Sequence, residues 1–217
     1  DSYGIWVNNA TNSSISYNRF SNVTEGIIGG AENLTINNNI MDDCGLSYYA
    51  GAVGGCISIG SGNLPIDTGN ITVYDNNITN VEQVGIMVFT GQNVLNNVDV
   101  YDNYVQGGLY GLLMTTYGSY SERPENVTMF DNFLVDNTNG IGIYKSYTAR
   151  GGVNNLITNN LIFNSSNGIR LDGTPTSYEG IMVTNNYIEA NNTGIFIGDI
   201  INPNIINNTI KAAVGMD

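Results

Sequence analysis

The stretch Val127-Thr128-Met129-Phe130-Asp131-Asn132-Phe133-Leu134 returns in near-copies along the whole chain, most closely at residues 98–105 and 71–78. Weaker copies end in Arg19-Phe20, Ile40-Met41, Leu161-Ile162, Tyr187-Ile188 and Thr209-Ile210. All of them place an asparagine at the same internal position, giving the column Asn18, Asn39, Asn76, Asn103, Asn132, Asn160, Asn186 and Asn208 with spacings of 21, 37, 27, 29, 28, 26 and 22 residues. A repeat of this length marks a solenoid, in which one coil buries its apolar side only by stacking on the next.

A second element alternates with the first and reads Gly-apolar-x-apolar, as in Gly85-Ile86-Met87-Val88, Gly111-Leu112-Leu113-Met114, Gly140-Ile141-Gly142-Ile143 and Gly168-Ile169-Arg170-Leu171. Both elements alternate with period two, so each predicts a strand with one face in a core. Asn, Gly and Asp lie between them, residues that accept the left-handed backbone of a sharp bend. Two or three strands per coil and no helical period predict an all-β fold, a single-stack right-handed parallel β-helix of about eight coils. Ile71, Val73, Ile86, Val88, Val100, Met129, Ile141 and Ile169 are among its expected core. The Asn column is expected to form a side-chain ladder that satisfies backbone groups at one bend.

Charge then narrows the partners. Six Lys and Arg stand against 19 Asp and Glu, a net charge of −13, which excludes nucleic acid as a partner because phosphate binding needs clustered cations. No apolar run is long enough to span a bilayer. The absence of His removes Ser-His-Asp triads and most zinc or copper sites. No cofactor is required, while the Asp-rich bends admit calcium. Residues 1–217 read as one domain excised or processed from a longer secreted protein, the remainder of which is an expected partner. Ten Asn-x-Ser/Thr sequons suit an extracellular or cell-surface location but also follow from a composition rich in Asn, Ser and Thr. Cys44 and Cys56 flank a Gly- and Tyr-rich loop and read as a disulfide, with two buried thiols as the alternative.

The repeats resemble the parallel β-helix family of pectate lyases, polygalacturonases and alginate epimerases. The Asn-rich coils and the opening Gly4-Ile5-Trp6-Val7-Asn8-Asn9-Ala10 are similar to the disaggregatase-related proteins of methanogenic archaea. That resemblance implies action on the polysaccharide matrix that holds cells together.

Two outward surfaces carry candidate sites. Tyr74, Tyr101 and Phe130 form an aromatic stripe beside the carboxylates Asp75, Asp102 and Asp131, a pairing that suits sugar faces and hydroxyls. The same residues could merely pair across a sheet and tolerate a bend. The second surface follows the Gly-apolar-x-apolar strands, where long loops carry Tyr117, Tyr144 and Tyr147. Arg123, Lys145, Arg150 and Arg170 cluster there in an acidic chain, beside Asp172 and Glu179. Lys145, Arg170, Asp172, Glu179 and Tyr144 are the candidate catalytic set, with Arg123, Arg150, Tyr117, Tyr147, Tyr74, Tyr101, Asp75, Asp102 and Asp131 in substrate binding. Cations beside tyrosines and carboxylates fit elimination on an acidic heteropolysaccharide, and paired carboxylates fit hydrolysis. Arg170 and Asp172 read equally as a surface ion pair on one strand. A secreted or cell-surface polysaccharide hydrolase or lyase is the leading expectation, because a pure spacer needs neither the basic cluster nor the one-sided loops. A non-catalytic adhesion or carbohydrate-binding module is the alternative.

Overall fold

The computed structural model describes residues 3–45, 54–60, 68–90, 94–116, 124–145, 153–172 and 179–216. Its 21 strands join in one hydrogen-bonded network with parallel pairing between coils. Each coil contributes to three sheets, and in Tyr3–Ser16, Glu25–Asn37, Leu161–Asp172 and Tyr187–Ile197 one strand runs on from one sheet into the next. In the coil that carries the reference repeat the strands are Pro124–Phe130 in a first sheet, Phe133–Val135 in a second and Asn139–Lys145 in a third. Inward residues of the three sheets meet in one continuous core that includes Ile71, Val73, Ile86, Val88, Val100, Met129, Ile141 and Ile169. The fold is a parallel β-helix.

The bend between the first and second sheets is built the same way in every coil. The residue before each ladder Asn has positive φ: Tyr17, Asn38, Asp75, Asp102, Asp131, Asn159, Asn185 and Asn207 all lie between 52° and 62°. Asn and Asp visit this region at low cost, which accounts for seven of the eight. Asn39, Asn76, Asn103, Asn132, Asn160 and Asn186 are buried. Each joins the next by a side-chain bond of 2.9–3.0 Å, and the chain of bonds runs unbroken from Asn18 to Asn208.

A second series of bends accounts for three of the ten sequons. Asn33, Asn70 and Asn126 have φ of 57°, 54° and 53°. They are followed by the buried Leu34, Ile71 and Val127 and then by the half-buried Thr35, Thr72 and Thr128. A bend Asn, an inward apolar residue and an outward Thr make Asn-x-Thr as a by-product of the fold.

The recurrent glycine that opens the third-sheet strands answers a close approach of backbones. A Cβ on Gly111 or Gly140 would lie 2.7 Å from the carbonyl oxygen of Gly140 or Gly168 in the next coil. Cys44 and Cys56 are bonded, with a Cα–Cα distance of 5.2 Å, and join the second sheet to the third across the segment between them.

Candidate functional site

Outward side chains of the third sheet carry the expected catalytic set only in part. Tyr144 pairs in register with Asp172, and Gly142 with Arg170. The Arg170 guanidinium donates to Asp172 Oδ2 at 2.7 Å and 3.2 Å and lies 5.5 Å from the centroid of the Phe196 ring. The cation that the sequence offers to an acidic sugar is thus held by a carboxylate two residues away. Tyr144 is 47% exposed beside them. Glu179 is not joined to this group: it is exposed, lies beyond residues 173–178, and bridges to Ile201 at the start of the next coil. Arg123, Arg150, Tyr117 and Tyr147 lie outside the described residues, as does the side chain of Lys145.

Toward the earlier coils this face closes. Val84, Met87 and Leu113 point away from the main core yet are buried, forming a second apolar cluster with Phe89 and Tyr110. The Tyr110 ring crosses the strand at Gly142, where a Cβ would lie 2.5 Å from Cδ1. Burial raises the Tyr110 phenol pKa, and Arg170 opposes the shift.

The first sheet brings Tyr74, Tyr101 and Phe130 together as the repeats predict. Their rings stack at 5.0 Å and 4.7 Å with interplanar angles of 3° and 13°. Stacked so nearly parallel, the middle ring has both faces covered by its neighbours, which leaves mainly ring edges for solvent. The faces of Tyr101 are thus taken up by Tyr74 and Phe130. Asp75, Asp102 and Asp131 are exposed on the adjoining bend. Burial first, then the charges of Asp131 and Asp75, raise the Asp102 pKa. Among the described residues no three Asp, Glu or Cys side chains converge as metal ligands.

The second sheet holds what the sequence reading missed. Its first outward position, immediately after the ladder Asn, reads Arg19, Ile40, Asn77, Tyr104, Phe133, Leu161, Tyr187 and Thr209 in successive coils. Tyr104 and Phe133 lie 5.6 Å apart at 44°, and Phe163 bridges Phe133 and Tyr187 at 5.4 Å and 5.5 Å with angles of 67° and 41°. Tilted rings do not cover one another fully, and Phe133 stays 39% exposed; Leu161 in the next coil is 44% exposed. An open hollow of about 680 Å³ borders this face, lined by Asp75, Asp102, Tyr104, Asn77 and Thr79 among others. Asp42 and Asp136 stand on the far side. Side-chain hydrogen bonds from Thr79 and Asn80 lower the Asp42 pKa, and bonds from Gln106 and Asn164 lower that of Asp136. The residue after each ladder Asn was the available signal.

Known proteins place the fold in context. No curated protein matches the chain. The structure of the Streptococcus pneumoniae surface protein and adhesin PfbA is similar, with a TM-score of 0.61 and 15% identity over 99% of this chain and 66% of that one. The chain therefore spans just under two thirds of that structure's length. The complex structure of XylC with xylose aligns at a TM-score of 0.43 and 13% identity, over 85% of this chain and 38% of that one. The profile described as "Right handed beta helix region" matches residues 1–105 and 68–216. With three parallel sheets, a continuous Asn ladder and that profile over nearly its whole length, the chain belongs to the right-handed beta helix family.

Proposed function

We propose that this chain is a cell-surface or extracellular polysaccharide-binding module, and that the outer face of the second sheet is its binding surface. The observation that carries the reading is the run of Tyr104, Phe133, Leu161 and Tyr187 on successive coils, Phe133 and Leu161 exposed and the two tyrosines half-buried, with polar bends on both sides. Aromatic rings with open faces pack on the apolar faces of sugars, and neighbouring amides, hydroxyls and carboxylates take the sugar hydroxyls. An open face of this kind holds a polymer without enclosing a bond, so binding is favoured over cleavage.

A second reading, a polysaccharide hydrolase or lyase, is favoured by one observation: Tyr144, Arg170 and Asp172 meet on adjacent strands. One assay separates the two. Wild type and Phe133→Ala are tested for retention on a panel of immobilised polysaccharides, and the soluble fraction is assayed for reducing ends and unsaturated products. Retention lost in Phe133→Ala, with no product released, supports the module. Product formation abolished by Asp172→Ala and indifferent to Phe133→Ala would overturn it.

A further inference from the structure

We infer that the polymer is an extended amino-sugar chain that lies along the helix axis, one sugar to a coil, with its ammonium groups against the carboxylates of the flanking bends; this rests on the second-sheet face being the binding surface.

Direction follows from register. Tyr104, Phe133, Leu161 and Tyr187 occupy the same position on consecutive coils, which repeat at about the 4.8 Å spacing of neighbouring strands. A sugar in an extended β-linked polymer advances by a comparable length, so a polymer laid along the axis meets an apolar side chain at each residue. Laid across the axis, it would meet one ring and then leave the sheet, because the strand at this coil is only Phe133–Val135.

Charge selects the sugar. Asp75, Asp102 and Asp131 place an exposed carboxylate in each of three consecutive coils along one edge of the face, beside Asn77, Tyr104 and Phe133, and the coils of Leu161 and Tyr187 carry Asn159 and Asn185 there. Asp42, Asp136 and Glu189 stand along the other edge or beside it. Between Arg19 in the first coil and Lys211 in the last, the outward positions of the second sheet hold no Lys or Arg. Lys211 is itself bonded to Glu189 at 2.8 Å. A uronate or sulfated polymer would meet like charge along this stretch, whereas the amines of a polymer over Asn77, Tyr104 and Phe133 would meet a carboxylate in each of these three coils. The same repulsion disfavours a second copy of this chain, which carries a net charge of −13.

Calorimetric titration with three hexamers tests this: glucosamine, N-acetylglucosamine and a uronate. A chain this acidic attracts any polycation, so the comparison is internal to the protein. Asp75→Asn/Asp102→Asn/Asp131→Asn removes three charges beside the face. Its fold is safe because Asn38, Asn159 and Asn185 hold the same bend position at φ of 55°, 55° and 58°. Glu32→Gln/Asp99→Asn/Glu125→Gln removes three charges on the first sheet instead.

The glucosamine hexamer is expected to bind tightest, to weaken about tenfold in the first triple variant, and to change about twofold or less in the second. Phe133→Ala is expected to weaken both the glucosamine and N-acetylglucosamine hexamers about tenfold. Equal loss in the two triple variants, or uronate binding as tight as glucosamine, overturns the inference. If the N-acetylated hexamer binds as well as the amine and only Phe133→Ala weakens it, the face stands and the amino-sugar selection falls. If no hexamer binds, or Phe133→Ala changes nothing, the binding face itself is wrong.

Discussion

The side-chain oxygen of Asn160 accepts two hydrogen bonds from Asn132, one from its backbone N–H at 3.1 Å and one from its side-chain amide at 3.0 Å. The Asn132 amide also bonds the carbonyls of Phe130 and Val100, tying its own bend to the coil before. Its oxygen in turn receives both bonds from Asn103. Asn132→Leu strands several buried groups at once, and each unsatisfied group costs about 1–3 kcal/mol. We predict a loss of roughly 3 kcal/mol or more in chemical denaturation. Asn208→Leu, at the half-buried end of the ladder, should lose less. An unchanged midpoint for Asn132→Leu would contradict a structural ladder.

Close packing between coils gives a second test. A Cβ on Gly140 would lie 2.7 Å from the Gly168 carbonyl oxygen, while one on Gly215 meets nothing within 4 Å. Forcing a methyl group into a filled site typically costs about 1–3 kcal/mol, so Gly140→Ala should lower thermal stability clearly and Gly215→Ala should not. Equal effects would mean that the glycine column serves something other than backbone approach.

Glu25 provides a pH-dependent prediction. Burial raises its pKa above the ordinary 4.5, against opposing hydrogen bonds from the Ser58 hydroxyl and the Gly55 backbone. The folded state therefore holds the proton more tightly than the unfolded one. Its contribution to stability is fully present below the unfolded pKa and is lost as pH rises through the folded pKa. Glu25→Gln should be more stable than wild type at neutral pH, and the difference should shrink on acidification across that window. A difference that grows on acidification would reverse the sign and refute the burial.

The Cys44–Cys56 disulfide closes a loop of 12 residues in sequence separation. Cys44→Ala/Cys56→Ala should lower unfolding stability by about 2–4 kcal/mol, read in parallel with reduced wild type. Both sulfurs are buried, so reductant should act on the native protein slowly and on the unfolded protein at once.

Much of the architecture is legible in the residues alone. A ladder Asn leaves a fixed mark because its role recurs unchanged in every coil, and the core aliphatics alternate with it. The function-bearing face is harder to read. Tyr104, Phe133, Leu161 and Tyr187 each follow a ladder Asn and look like the tail of the repeat. They become a separate face because positive φ at residues such as Asp102 and Asp131 turns the chain between them and the first sheet. Sequence also cannot separate the Asp that a bend requires from the Asp that a ligand would use. Nor can it foresee that the Tyr101 ring is covered by its neighbours, since stacking depends on inter-coil register and ring tilt. The pairing of Lys211 with Glu189 across 22 residues is likewise a product of coil length.

The most direct measurement is a map of amide, methyl and aromatic NMR shifts during titration with a bound oligosaccharide. The account predicts the largest changes at Tyr104, Phe133, Leu161, Phe163 and Tyr187, with smaller ones at Asp102 and Asp131. Changes centred on Tyr144, Arg170 and Asp172, with the second sheet silent, would contradict it and return the site to the third sheet.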